Sequence, residues 1–322
     1  MIDTVCLNFP VRLAKDDLSS WGMTRKRCRT GFIVSHDFSV MLVNGAKISY
    51  LYFPYIENGL LKVEFSFPTV ILGSNVHMIF NIEPAVAQAN KMLPNVPGVP
   101  ALDLWEGIIF RLDVYYDHQV DDLQSYYVKA LQDLKYPYRK TLPYTNEGVQ
   151  YKNGRATTKF YNKEQERNDI GDLVGASFAH GLLRQETTCR KIAVRKLTGN
   201  KKPTLRDITI DMLLDALEND LQKLNLLGCS IGTVDTTLVT LTQHCGEVEG
   251  IFLYGWLLAK MKHPSKEALE AASMAHPMTI QRRLMKIIEA GVPLTITSSE
   301  KPLPPLVIDR EMVKSKVNQV HL

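Results

Sequence analysis

GVQYKNGRATTKFYNKEQE, residues 148–166, holds two strand-forming runs, GVQY and RATTKFY, joined by Lys152-Asn153-Gly154. An Asn-Gly step between such runs is a strong local signal for a hairpin, and so for antiparallel sheet. Alternation in the second run puts Thr157, Lys159, Tyr161 and Lys163 on one face and Thr158, Phe160 and Asn162 on the other. A phenol between two cations is expected to titrate below its ordinary value of about 10, because nearby positive charge favours phenolate. The plainer alternative is a rim tyrosine that only packs.

Working outward, the first two hundred residues read as strands with a few helices. SVMLVNGAKISYLYF (39–53) carries a second Asn-Gly step, Asn44-Gly45, and predicts a two-residue hairpin turn. LLKVEFSFPTVIL (60–72) alternates around Glu64 until Pro68, which ends or bulges the strand. GIIFRLDVYYD (107–117) is the clearest strand, and DDLQSYYVKALQDL (121–134) has helical spacing, as does EPAVAQANKML (83–93). AHGLLRQETTCRKIAVRK (179–196) reads as strand again. From about residue 203 the segments are helical in period, and MAHPMTIQRRLMKIIEAGV (274–292) has the short turn and basic second helix of a helix-turn-helix. The expected fold is α+β, with a mainly antiparallel sheet flanked by helices over residues 1–202 and an all-α domain over 203–322.

A chain of 322 residues with a formal charge of +4 permits a nucleic-acid partner without demanding one. Basic clusters lie at TRKRCR (24–29) and CRKIAVRKLTGNKK (189–202), the second suited to a strand with one face toward a polyanion; the alternative for both is a solvated surface. Cys6, Cys28, Cys189, Cys229 and Cys245 show no paired spacing and read as reduced thiols of a cytoplasmic protein. The amino-terminal apolar run is too short for a signal sequence, and no window is apolar enough to predict a membrane span.

Two acids stand inside apolar strands: Glu64 in KVEFSF and Asp113 in FRLDVYY. A buried carboxylate needs a cation, which leaves two possibilities open. The pair could hold Mg²⁺ or Mn²⁺ as hard-oxygen ligands, or each could pair with Arg111 or Lys62.

The order of VEF, ILGSN, FRLDV, KFYNKEQE and GLLRQE, with FLYGWLLAKM, IQRRLMKIIEAGVP and PLPPLVID following more weakly, resembles the filamentous phage gene II and phage replication protein CRI family of rolling-circle replication initiators. The resemblance implies an HUH-endonuclease-like catalytic fold and nicking at an origin. It makes Tyr161 the nucleophile, with Lys163 and Glu166 at the other positions of its motif, and it places Glu64 and Asp113 near the metal. Arg184 and Glu186 match an R-x-E pair expected to be structural or to position phosphate. Where the family has a G-H-N step this chain reads Gly73-Ser74-Asn75. His77 is the candidate to replace the missing histidine as a metal ligand, although an odd offset along a strand would turn it to the other face, and His118 has the same difficulty relative to Asp113.

Such chemistry forms a 5′-phosphotyrosyl link that stores the bond for rejoining, with a divalent ion orienting the phosphate and Lys163 countering developing charge. Glu164 or Glu166 is the candidate general base. Tyr115, Tyr116, Tyr144 and Tyr151 are candidates to stack on bases. Arg111, Lys159, Arg184, Arg190, Lys191, Arg282 and Arg283 are the expected DNA contacts, joined by Arg195 and Lys196. The expected partners are single-stranded and supercoiled origin DNA and a host helicase. Two other classes fit the same residues: a non-catalytic origin-binding regulator, and a hydrolytic nuclease run by Glu64, Asp113 and Glu166. A mobilisation relaxase would share the tyrosine chemistry.

Overall fold

The computed structural model describes residues 1–14, 18–27, 33–42, 45–53, 58–144, 147–262, 276–294, 296–297 and 302–319. Its strands are β1 (Ile2–Pro10), β2 (Gly22–Arg27), β3 (Ile33–Met41), β4 (Lys47–Phe53), β5 (Asn58–Ser66), β6 (Ile108–Gln119), β7 (Lys140–Pro143), β8 (Gly148–Lys152), β9 (Ala156–Asn162), β10 (Leu182–Arg190), β11 (Gly232–Thr233) and β12 (Ile296–Thr297). Its helices are α1 (Phe67–Leu72), α2 (Glu83–Met92), α3 (Gln124–Asp133), α4 (Lys163–Asp169), α5 (Leu173–Phe178), α6 (Lys191–Thr198), α7 (Ile210–Lys223), α8 (Val234–Cys245), α9 (Glu247–Lys262), α10 (Pro277–Glu289) and α11 (Arg310–Gln319). The protein is therefore α+β with antiparallel sheet, as the alternating runs predict.

Two compact units divide the chain. The first is Met1–Tyr115 with Thr187–Leu214 and Arg310–Leu322, and the second is Tyr116–Glu186 with Asp215–Asp309. They interleave along the sequence, so position 203, where the helical texture begins, falls inside the first unit. Periodicity reports what each segment is and carries no information on which distant segment it pairs with.

In the first unit the strand order is β2-β3-β4-β5-β1-β6, and each neighbouring pair is antiparallel. In β5 the alternation is plain: Leu61, Val63 and Phe65 are buried while Lys62, Glu64 and Ser66 are half-exposed. Pro68 ends this strand by opening a helix, since the Ser66 hydroxyl accepts the Thr69 amide and Gly73 closes the turn at φ 73°. The β3–β4 hairpin forms in register, with the Leu42 amide donating to Ala46 and Gly45 at φ 77°; Asn44 lies outside the described residues. The basic run after β10 departs from expectation. KIAVRKLT is helix α6, with Val194 buried and Arg190, Lys191, Arg195 and Lys196 exposed around it. Its three-residue step from Val194 to Leu197 suits a helix as well as its apolar alternation suits a strand.

In the second unit the order is β6-β10-β9-β8-β7. The β8–β9 hairpin forms, but neither Asn153 nor Gly154 takes a positive φ. Asn153 turns the chain through its side chain, accepting the Arg155 and Ala156 amides at 2.9 and 3.0 Å. Helices α8, α9 and α10 share a core of Leu241, Leu253, Trp256, Leu257, Ile280 and Ile287. The segment 263–275, which precedes the basic helix of the expected helix-turn-helix, lies outside the described residues. Arg282 is exposed, and the Arg283 guanidinium lies 4.7 Å from the centroid of the Phe252 ring.

This unit is tied internally by Asp220, which is 1% exposed. It accepts from the Tyr136 hydroxyl at 2.5 Å and from the Thr158 hydroxyl, with the Arg139 guanidinium 3.6 Å away. Removing that carboxylate takes the charge partner from a mostly buried guanidinium and the acceptor from two hydroxyls at once. Asp220→Ala is expected to cost about 3–5 kcal/mol in urea unfolding; a loss within the error of the measurement would show that the network does not hold the unit.

Candidate active site

Tyr161 reaches its place because β9 runs between β8 and β10. Gly148 is its Cα partner on β8, and on the other side its hydroxyl donates to Glu186 Oε2 of β10 at 3.3 Å. The other oxygen of Glu186 accepts from Lys159 Nζ at 2.7 Å. The Tyr144 ring meets Tyr161 edge-on at 5.3 Å, and Lys159 Nζ sits 4.7 Å from the Tyr144 centroid. The face of β9 read from the sequence is thus real as far as Lys159 and Tyr161.

Lys163 does not continue it. Asn162 ends the strand by accepting the Gln165 amide with its side chain, so Lys163 is the first residue of α4. Its ammonium is fully buried, bonds Glu166 Oε2 at 2.8 Å, and lies 5.7 Å from the Tyr161 ring centroid. Burial, reinforced by the Arg184 charge and only partly offset by Glu166, pushes Lys163 down to about 8.

The tyrosine itself titrates in the direction opposite to the expectation. Burial raises its pKa well above 10, and the Glu186 carboxylate raises it further, against which the Arg184 charge acts weakly. Tyr161 is 3% exposed, and removing water from a phenolate costs more than two nearby cations return once those cations are paired with carboxylates. Arg184 is so paired, bound through Nε and Nη2 to Asp117 at 2.6 and 2.8 Å with both side chains buried.

Glu166 is an acceptor for Lys163 and for Arg167 at 2.9 Å. Burial pushes its carboxyl up, but those two cations prevail and hold it below the ordinary range. Glu164 pairs with His180 at 3.0 Å. The acid within reach of the phenolic proton is therefore Glu186, which the sequence offered only as a structural or phosphate-positioning residue. Tyr115, Tyr116 and Tyr151 are buried core residues, and Tyr144 alone of the proposed stacking rings is half-exposed, packed on Tyr161. His118 is buried with Nε2 3.0 Å from Gln185 Oε1, and burial lowers its pKa.

The two strand carboxylates belong to the first unit. Between them stands Arg111, with Nη2 3.3 Å from Glu64 Oε1 and 3.0 Å from Asp113 Oδ2. Burial alone would lower the Arg111 pKa, but Asp113 and then Glu64 outweigh it and hold the guanidinium charged. Of the two possibilities the sequence left open, the ion pair is the one formed. His77 is exposed in the bend after α1, outside any strand, and its carbonyl accepts the Tyr115 hydroxyl at 2.9 Å. Among the described residues no group of three or more His, Cys, Asp or Glu side chains is placed to hold a metal. The donor set as arranged does not fit Mg²⁺ or Mn²⁺, because a guanidinium fills the place between the carboxylates. Set against known proteins, the chain matches no family model and no curated sequence.

The Lys163 environment has a measurable consequence. Its folded pKa of about 8 lies below its ordinary 10.5, so in that window the unfolded chain carries a proton that the native chain lacks. Stability should rise with pH across the window, by at most about 1.4 kcal/mol per pH unit, and the penalty should be fully present below it. Relative to Lys163→Met, the native chain is expected to gain stability between about pH 8 and about pH 10.5 in urea unfolding. Parallel pH profiles for the two would place the ammonium in water.

Proposed function

We propose that the protein is a DNA strand transferase of the rolling-circle initiator type, with Tyr161 as nucleophile and Glu186 as the acceptor of its proton. The observation that carries this reading is the single hydrogen bond from the Tyr161 hydroxyl to Glu186, whose other oxygen is held by Lys159. A nucleophile, a base within reach and a third group orienting the base form the arrangement that nucleophilic catalysis requires. The ordered resemblance of KFYNKEQE and GLLRQE to the initiator family supports it, since Tyr161 and Glu186 come one from each.

In the step proposed, the Tyr161 oxygen attacks a DNA phosphorus while its proton passes to Glu186. The bond to the 3′ oxygen breaks, that oxygen takes a proton from water, and a 5′-phosphotyrosyl link remains. Rejoining is the reverse. Lys159 then faces a neutralised carboxyl and is released to counter phosphate charge. No step is assigned to a metal, and Glu64 and Asp113 are not given catalytic parts. Because the hydroxyl is buried, the reading requires DNA binding to uncover it. Origin DNA and a host helicase are the partners this reading brings with it.

Burial of Tyr161 favours a second reading, a non-catalytic DNA-binding regulator on the same fold. A 3′-labelled single-stranded DNA library, incubated with the full chain in Mg²⁺ or Mn²⁺ and run on a denaturing gel, separates the two. The expected result is a protein-linked labelled band that Tyr161→Phe abolishes and Glu186→Gln slows by about 100-fold. A shifted native complex with no covalent band supports the regulator, and cleavage that survives Tyr161→Phe assigns hydrolysis instead.

A further inference from the structure

The open face of the first unit's sheet carries a hollow of about 380 Å³. Its construction begins with an irregularity in β6. Leu7 of β1 is the Cα partner of Ile109, and Cys6 is the partner of Arg111, so Phe110 is an extra residue with no partner on β1. Ile109 and Leu112 are both fully buried, which turns both intervening side chains, Phe110 and Arg111, to the outer face. An uninterrupted strand would have sent Phe110 to the side opposite Arg111. Instead Phe110 stands 38% exposed beside a guanidinium, with Lys62 Nζ 5.1 Å from its ring centroid.

The rest of the lining is polar. Arg111 is taken up by Asp113 and Glu64, which leaves the Lys47 and Lys62 ammonium groups and the Asp37 carboxylate as the other charges of the lining. Ser39 and Ser49 are Cα partners across β3 and β4, which puts two hydroxyls on the same floor. A ring with a cation against it, in a hollow that also presents the Lys47 and Lys62 ammonium groups and two hydroxyls, matches one chemistry well: a base to stack and phosphates to hold.

We infer that this hollow is a seat for single-stranded DNA, with one base stacked on Phe110 and the backbone held by Lys47 and Lys62. A duplex is excluded as the occupant of the ring because its base faces are already stacked. The inference rests on the strand-transferase reading for its choice of partner and adds the surface on which the strand lies.

Fluorescence anisotropy of a labelled oligothymidine with the full chain tests it. Phe110→Ala is expected to weaken binding about ten-fold, the loss of one stacked base. Lys62→Ala is expected to weaken it and to lower the slope of log affinity against log salt by about one. Phe178→Ala removes a more exposed ring on α5, outside the hollow, and should leave affinity unchanged. No affinity for the oligonucleotide, or equal losses from Phe110→Ala and Phe178→Ala, overturns the seat. Tyr161→Phe should bind as the native chain does, which keeps the two proposals apart. Loss of affinity in Phe110→Ala without any covalent band from the native chain leaves the seat standing and the nickase refuted. A Tyr161-dependent band with Phe110→Ala binding unimpaired does the reverse.

Discussion

A charge taken out of water must meet its opposite, and that requirement arranges most of the polar interior of this protein. Arg184 finds Asp117, Lys163 finds Glu166, Lys159 finds Glu186, Arg139 finds Asp220, and Arg111 is shared by Glu64 and Asp113. Desolvating an ion costs several kcal/mol, so none of these side chains is free to act on a ligand without first giving up a partner. The same pairs fix the directions of the pKa shifts. Lys163 falls because its compensation is incomplete, whereas Glu166, compensated twice, stays low despite its burial.

Elements with a clean two-residue period were legible in the sequence. The strands around Glu64, Asp113 and Tyr161 and the two Asn-Gly hairpins lie where the alternation puts them, because one buried face and one wet face leave a mark on composition. The turn at Asn153 was legible in place and not in kind, since a side-chain bond and a left-handed backbone both use asparagine. The end of β9 had a readable signal. Asn162 followed three residues later by Gln165 is a helix-start pattern, and weighing it would have moved Lys163 off the strand. Helix α6 was misread because Ile192 and Val194 alternate with basic residues over too short a stretch to separate the two periods. The approach of Glu186 to Tyr161, 25 residues apart in the chain, belongs to pairing between strands, which no local period records.

Tyr161 shows why flanking charges are a poor guide to a phenol's acidity. Both lysines beside it in sequence are close to it in space, yet each is engaged by its own carboxylate, and one of those carboxylates is also the acceptor of the phenolic hydroxyl. Burial is therefore the larger cause of the raised pKa, and the Glu186 carboxylate adds to it. A phenol held neutral and hydrogen-bonded to a carboxylate keeps its proton at ordinary pH, and on the proposed reading it gives that proton up only as the attack takes place.

The irregularity at Phe110 bears on how one sheet can serve both packing and recognition. IIFRL is apolar nearly throughout, so its composition does not reveal which residues turn outward. The sheet needs Ile109 and Leu112 in the core, three positions apart, and a two-residue period cannot deliver both. The extra residue resolves that conflict, and the side chain displaced by it is the ring that lines the hollow. Had the displaced residue served packing alone, a small or polar side chain would satisfy the geometry at lower cost than an exposed phenylalanine under a lysine ammonium. On the proposed reading, a ring at the place where the strand departs from its period gives a base a face to stack on, beside a lysine ammonium.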